Sequence, residues 1–195
     1  MTISESRLIL EAIITSESPD GSMHVAPMGP EVDEGCASWV LKPFQSSTTF
    51  SNMRRSGRCI VHVVDDALLI AKAVLGEANQ YPARKIVDRG FVLDAACHWY
   101  SLQAVEWNTD HARASVRCKV VESAIMKPFF GWNRAKHAVV EMAILASRVH
   151  LIEKPLLEIE IERYRILIEK TAGSCEREAF ERLEKYMLQY ERIPC

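Results

Sequence analysis

The spacing of apolar residues changes once along this chain, and that change constrains the fold more than any other feature. Up to about residue 125 the apolar runs are short and several alternate. Ala114, Val116, Cys118 and Val120 interleave with Ser115, Arg117 and Lys119, the pattern of a half-buried strand. Beyond Lys127-Pro128-Phe129-Phe130-Gly131 the period lengthens. Ala135, Val139, Met142, Ala146 and Val149 recur at helical spacing, as do Phe180, Leu183, Met187 and Tyr190. Between them, Leu157-Glu158-Ile159-Glu160-Ile161 alternates like a strand. The length of its segment and its Glu, Leu and Arg content favour helix. The chain is therefore expected to be α+β and mainly β, with a barrel over residues 1–125 and a three-helix unit over 126–195. A helical unit of about 65 residues is marginal for a separate core. It is expected to pack on the barrel or on a partner subunit.

Within the first part, residues 8–15 read as a strand, Asp20-Gly21 as a turn, and Ala26-Pro27-Met28-Gly29 as the end of the returning strand. Residues 37–41 are a further strand, and Ser46-Ser47-Thr48-Thr49 follow it before a short helix that ends in Arg54-Arg55-Ser56-Gly57. Unpaired N–H groups and the positive dipole end collect at such a helix start. The hydroxyls either help cradle a phosphate there or act as plain caps through Ser47 or Thr48. A phosphate also needs cations, and Lys42, Arg54, Arg134 and Lys136 are the candidates. Residues 58–64 form a strand and 66–76 a helix capped by Asp66. The polar stretch 77–95 reads as an excursion over the barrel, and 96–107 and 112–122 are long β runs joined by a turn at 108–111.

This order resembles the flavin reductase-like split-barrel flavoproteins. It is most similar to a small subfamily catalogued as a domain of unknown function. The resemblance rests on Ala26 to Gly29, Pro43 to Thr49, Asp65-Asp66 and Asn133-Arg134-Ala135, and spans roughly residues 8–150. It implies a split β-barrel that binds FMN at the interface of a homodimer. The implied contacts are Pro27, Met28 and Gly29 near the flavin ring and Ser46, Ser47, Thr48, Thr49 and Asn52 at the phosphate. His62, Asp65, Asn133, Arg134 and Lys136 complete the set. Where the subfamily commonly carries Asn, this chain has His24 and His62. The implied function is an FMN-dependent oxidoreductase acting on a small molecule, with a weaker link to tetrahydromethanopterin-type one-carbon metabolism. The alternative is a flavin or phosphate-ligand carrier or assembly factor without turnover.

Composition narrows the other classes. The chain has 195 residues and a formal net charge of −2, and neither part is basic, which argues against general nucleic-acid binding. No stretch is long and apolar enough for a membrane span, and Met1-Thr2-Ile3-Ser4-Glu5 does not read as a secretory signal, so a cytoplasmic protein is expected. The six cysteines are widely spaced and the six histidines dispersed, so no metal site is expected. Cys59 and Cys118 read as small core residues, and a free Cys195 fits a reducing compartment. The sequence contains no Gly-x-Ser-x-Gly, His-Glu-x-x-His or Gly-x-Gly-x-x-Gly. A flavin enzyme needs none of these, because its cofactor carries the redox chemistry.

Overall fold

The computed structural model describes residues 8–190; the Met1–Glu5 segment and Cys195 lie outside the described residues. The chain divides into two compact units that are discontinuous in sequence. The first holds residues 8–64 and 79–129, the second 65–78 and 130–190.

The first unit is one curled antiparallel sheet. Its strands are β1 (Leu8–Ile9), β2 (Ala12–Glu17), β3 (Met23–Met28), β4 (Glu31–Val32), β5 (Ser38–Leu41), β6 (Arg58–Val64), β9 (Ala96–Asn108) and β10 (Ser115–Ile125). They lie in the order β1-β4-β5-β10-β9-β6-β2-β3, which makes β3 an edge strand. Register shifts at Arg117/Cys118 and Val120/Glu122 on β10, and at Val63/Val64 on β6, bend the long strands. The concave face buries Ile14, Trp39, Leu41, Val61, Leu102 and Val116 together with Cys59 and Cys118. Burial pushes the Cys59 thiol well above its usual range, with Cys118 nearby adding to the effect, and pushes Cys118 up to about 12. Both are core residues, as their alternation suggested. Helix α1 (Thr48–Ser56) packs on β2 and β3. It stops at Gly57, whose φ of 71° closes the last turn through an N–H bond to the Met53 carbonyl.

The stretch 77–95 contains a hairpin, β7 (Ala83–Ile86) and β8 (Gly90–Leu93), where the sequence suggested only an irregular excursion. Arg84 and Lys85 are adjacent and both exposed, which hides the alternation on which a strand assignment depends.

The second unit consists of α2 (Ala67–Val74), α3 (Arg134–Ser147), a 3-10 turn (Val149–Leu151), α4 (Lys154–Thr171) and α5 (Ser174–Gln189). Segment 154–171 is helical, so composition and length outweigh its local alternation. Ala135, Val139, Met142, Ala146 and Val149 are all buried, with Phe180, Leu183 and Met187. Truncating Leu183 to Ala is expected to cost about 2–5 kcal/mol. Helix α2 contributes Ala67 and Ala71 to the same cluster and packs on α3 and α5. The units are thus not separated by chain order. A segment between two strands of the sheet supplies a helix to the helical core.

Candidate functional site

The start of α1 is built as the hydroxyl run suggested, with its roles divided. Ser47 is the cap: its Oγ accepts from the Phe50 N–H at 3.2 Å and donates to the Phe44 carbonyl at 2.7 Å. Ser46 and Thr48 are exposed and Thr49 is buried. The N–H groups of Thr48 and Thr49 point out of the first turn with no acceptor among the described residues. The preceding loop is fastened to the β9–β10 connection. Gln45 N–H donates to the Ala112 carbonyl, and Gln45 Nε2 to the carbonyls of Thr109 and His111. That connection brings the Arg113 guanidinium to 4.3 Å from the Phe44 ring centroid, a cation beside the loop that no local motif announces. Lys42 is instead ion-paired with Glu31, and Arg54 lies over the Trp107 ring.

Asn52 belongs elsewhere. It is buried, and its Nδ2 donates to Ser16 Oγ at 3.0 Å at the far end of β2. It ties helix to strand and does not face the helix start.

Pro27, Met28 and Gly29 close the edge strand β3. The Val25 N–H points away from β2, to Asn79 Oδ1 at 2.8 Å. By the two-residue period Pro27 faces the same way, so its carbonyl lies on the open edge. A Cβ on Gly29 would come within 2.9 Å of Ile9 Cγ2. A side chain at this position would have to displace the exposed Ile9 side chain on β1, which favours glycine here whether or not a ligand approaches.

The registers add a residue that was passed over. Met28 pairs with Ala12, and Val63 pairs with His98. Ile13 against His62 sets Ala12 beside Val63. Met28, Ala12, Val63 and His98 thus form one row across β3, β2, β6 and β9, about 14 Å for three strand spacings. His98 Nδ1 meets Tyr100 Oη at 3.0 Å, and their rings lie 4.1 Å apart between centroids. Partial burial lowers the His98 pKa. Burial, with Cys36 close by, pushes the Tyr100 phenol up to about 12. The signal was present as His98-x-Tyr100, two polar aromatics on one face of a strand.

His62 is fully buried on β6, with both ring nitrogens in use. The Leu93 N–H donates to Nε2 at 3.2 Å, which fixes the proton on Nδ1, and Nδ1 donates to the Ile13 carbonyl at 3.1 Å. Burial lowers its pKa to about 4. The ring joins β6, β2 and β8, and no ring nitrogen is left for a ligand.

The remaining expected residues lie in the helical unit, where two of them meet Phe130. Asp65 Oδ2 accepts from the Phe130 N–H at 3.1 Å, and Lys136 Nζ lies 5.2 Å from the Phe130 ring centroid. Asn133 caps α3 through Oδ1 to the Lys136 N–H, and its Nδ2 donates to the Thr171 carbonyl at the end of α4. Arg134 is exposed in the first turn and makes no ion pair or hydrogen bond among the described residues. Phe130 and Trp132 are exposed beside it. Among the described residues no group of His, Cys, Asp or Glu could hold a metal ion, and no helix is long and apolar enough to cross a membrane.

A curled antiparallel half-barrel with a capping helix and a helical extension is the split barrel of flavin reductase-like proteins. The chain belongs to the DUF447 family. The family model described as protein of unknown function (DUF447) N-terminal domain matches residues 10–127, and that described as protein of unknown function (DUF447) matches 133–185. The crystal structure of an FMN-bound DUF447 protein from Methanosarcina mazei superposes with a TM-score of 0.79 at 20% identity, over 93% of this chain and 96% of that one. The styrene monooxygenase flavin reductase of Pseudomonas putida S12 superposes at 0.51 and 12% identity, over 62% of this chain and 83% of its own. An FMN-binding protein from Thermus thermophilus with bound p-hydroxybenzaldehyde gives 0.53 and 12%, over 66% and 78%. No curated protein matches the sequence.

Proposed function

We propose that this chain is an FMN-binding flavoprotein that passes electrons to or from a small molecule. The observation that carries the reading is the start of α1. Two free N–H groups, the exposed hydroxyls of Ser46 and Thr48, and the positive helix end meet the needs of a phosphate dianion, with Arg113 beside the loop. The Pro27 carbonyl on the open β3 edge suits a ring N–H donor, and the Met28–His98 row gives the ring a floor. The FMN-bound relative from Methanosarcina mazei supports the same choice of cofactor.

When bound, FMN supplies the redox chemistry. The chain's own part is to anchor the phosphate on α1, to orient the ring, and to hold a proton between His98 Nδ1 and Tyr100 Oη. Arg134 of the helical unit, from the same or the neighbouring subunit, is a further candidate cation, and Asp65, Asn133 and Lys136 hold the segment around it. His62 is assigned to structure. A homodimer completes the reading, supported by exposed Leu156, Ile159 and Ile166 on α4 and by exposed Phe130 and Trp132.

Purified protein is expected to be yellow, with one FMN per chain. Anaerobic NADH or NADPH should bleach it, and an acceptor, pterins included, should restore the colour. Protein that neither carries nor takes up FMN removes the reading. FMN that binds but is never reduced leaves a carrier. Light scattering should give about twice the 22.1 kDa chain mass.

A further inference from the structure

We propose that a second cleft, away from the start of α1, binds the phosphate group of a small phosphorylated molecule. The cleft has a volume of about 490 Å³, within the range of small-molecule sites. Arg55 from the last turn of α1, Arg58 from the start of β6, Lys85 from β7 and Arg89 from the β7–β8 turn line it. Only two carboxylates, Glu17 and Asp88, line it with them. The local sign is opposite to the chain's net charge of −2. Such a cleft raises the local concentration of anions.

The negative end of α1 accounts for Arg55. It does not account for the other three cations, which come from strands and a turn. Their ion pairs are exposed, although Arg58 also donates to the Asp88 carbonyl. Arg58 lies 3.9 Å from the Asp88 carboxylate, Arg89 3.3 Å from Glu122, and Lys85 2.7 Å from Glu17, all between partly exposed side chains. Ion pairs of this kind contribute about 0–1 kcal/mol, so exchanging one for a ligand costs little. Guanidinium forks favour phosphate oxygens.

The floor is polar as well. Ser16 is buried, and its Oγ accepts from Asn52 Nδ2 at 3.0 Å, which leaves its own hydrogen to donate. The turn that forms one wall is held in an uncommon backbone state. Asp88, a non-glycine residue, has a φ of 58°, and Gly90 has 126°. Asn52 does not line the cleft itself but holds Ser16, which does.

The test is calorimetric titration of FMN-saturated protein with inorganic pyrophosphate at constant ionic strength. One saturable site per chain is expected. The double variant Arg58→Gln/Arg89→Gln should bind at least about tenfold more weakly, the effect of losing charge-assisted hydrogen bonds. Arg177→Gln should bind as wild type, and FMN affinity should not change in either variant. If the double variant does not fold, Lys85→Gln gives the same reading from one exposed position. Sedimentation with phosphatidylglycerol vesicles should leave the protein in solution, which distinguishes a soluble ester from a lipid headgroup. The proposal is overturned by no saturable binding, by equal binding in the variants, by sedimentation with the vesicles, or by loss of FMN from the double variant. It rests on residues other than those assigned to FMN. A chain that takes up no FMN defeats the cofactor reading, while the pyrophosphate titration still reads the cleft.

Discussion

The Leu93 N–H donates to Nε2 of His62, so this buried imidazole must be neutral with its proton on Nδ1. A second proton would set two N–H groups against each other inside the sheet. Burial is the first cause of the lowered pKa, about 4 in the folded chain against 6.5 for an ordinary histidine.

Folding therefore favours the neutral form. The stability this contributes is complete above pH 6.5 and is lost as pH falls towards 4. The loss should be on the order of 3 kcal/mol over that window. Urea melts at intervals from pH 7 to 4 should show the wild type weakening more steeply than His62→Gln. Parallel slopes would refute the assignment.

The start of α1 allows capping and ligand binding to be tested separately. Ser47→Ala removes the cap and should cost about 1 kcal/mol of stability with or without FMN. Thr48 is the first helical residue, where proline is well tolerated. Thr48→Pro deletes one free N–H and one exposed hydroxyl while sparing the helix. It should leave the FMN-free melting temperature within a degree or two and weaken FMN binding by about 1–3 kcal/mol. Fluorescence titration reads the second quantity, and unchanged affinity would move the phosphate elsewhere.

How much of this was legible in the sequence follows from the range of each signal. The hairpin, a hydroxyl cap at Ser47 or Thr48, the helical core face of α3 and the buried Cys59 and Cys118 were readable because each depends on neighbours within a few positions. The flavin reductase-like fold was readable only through the order of several weak motifs. The partners of Asn52, His62 and Arg113 were not readable. Each residue is fixed by a partner at least 31 residues away in sequence: Ser16, the Ile13 and Leu93 backbone, and the Phe44 loop. Helix α2 shows the same limit at larger scale, since its apolar face fits either unit and only packing places it with α3 and α5.

Asn133 illustrates a residue whose motif is real but whose side chain is already committed. Its amide oxygen caps α3 and its amide nitrogen holds the end of α4. Asn133→Ala should therefore lower stability by about 1–2 kcal/mol whether or not FMN is present. Asn133→Asp keeps the cap, loses the bond to Thr171, and should recover part of that loss. A variant that melts as wild type without FMN but loses the cofactor would return Asn133 to the ligand set.

Arg134 is the contrasting case, a cation in the first turn of α3 that makes no ion pair or hydrogen bond among the described residues. The positive helix end disfavours it there, by about 0.3–1 kcal/mol. An anion bound at that helix start would offset the cost. Arg134→Ala should leave the FMN-free protein as stable as wild type or slightly more so, yet weaken FMN binding by about 1–3 kcal/mol. Arg177→Ala, on α5, is the control and should do neither. Higher salt should weaken wild-type binding more than that of Arg134→Ala, because only the former retains this charge contact to screen. Thermal melts with and without saturating FMN give both quantities from one preparation. If the stabilisation by FMN is the same in Arg134→Ala as in wild type, the cation serves solubility alone and the start of α3 carries no part of the flavin site.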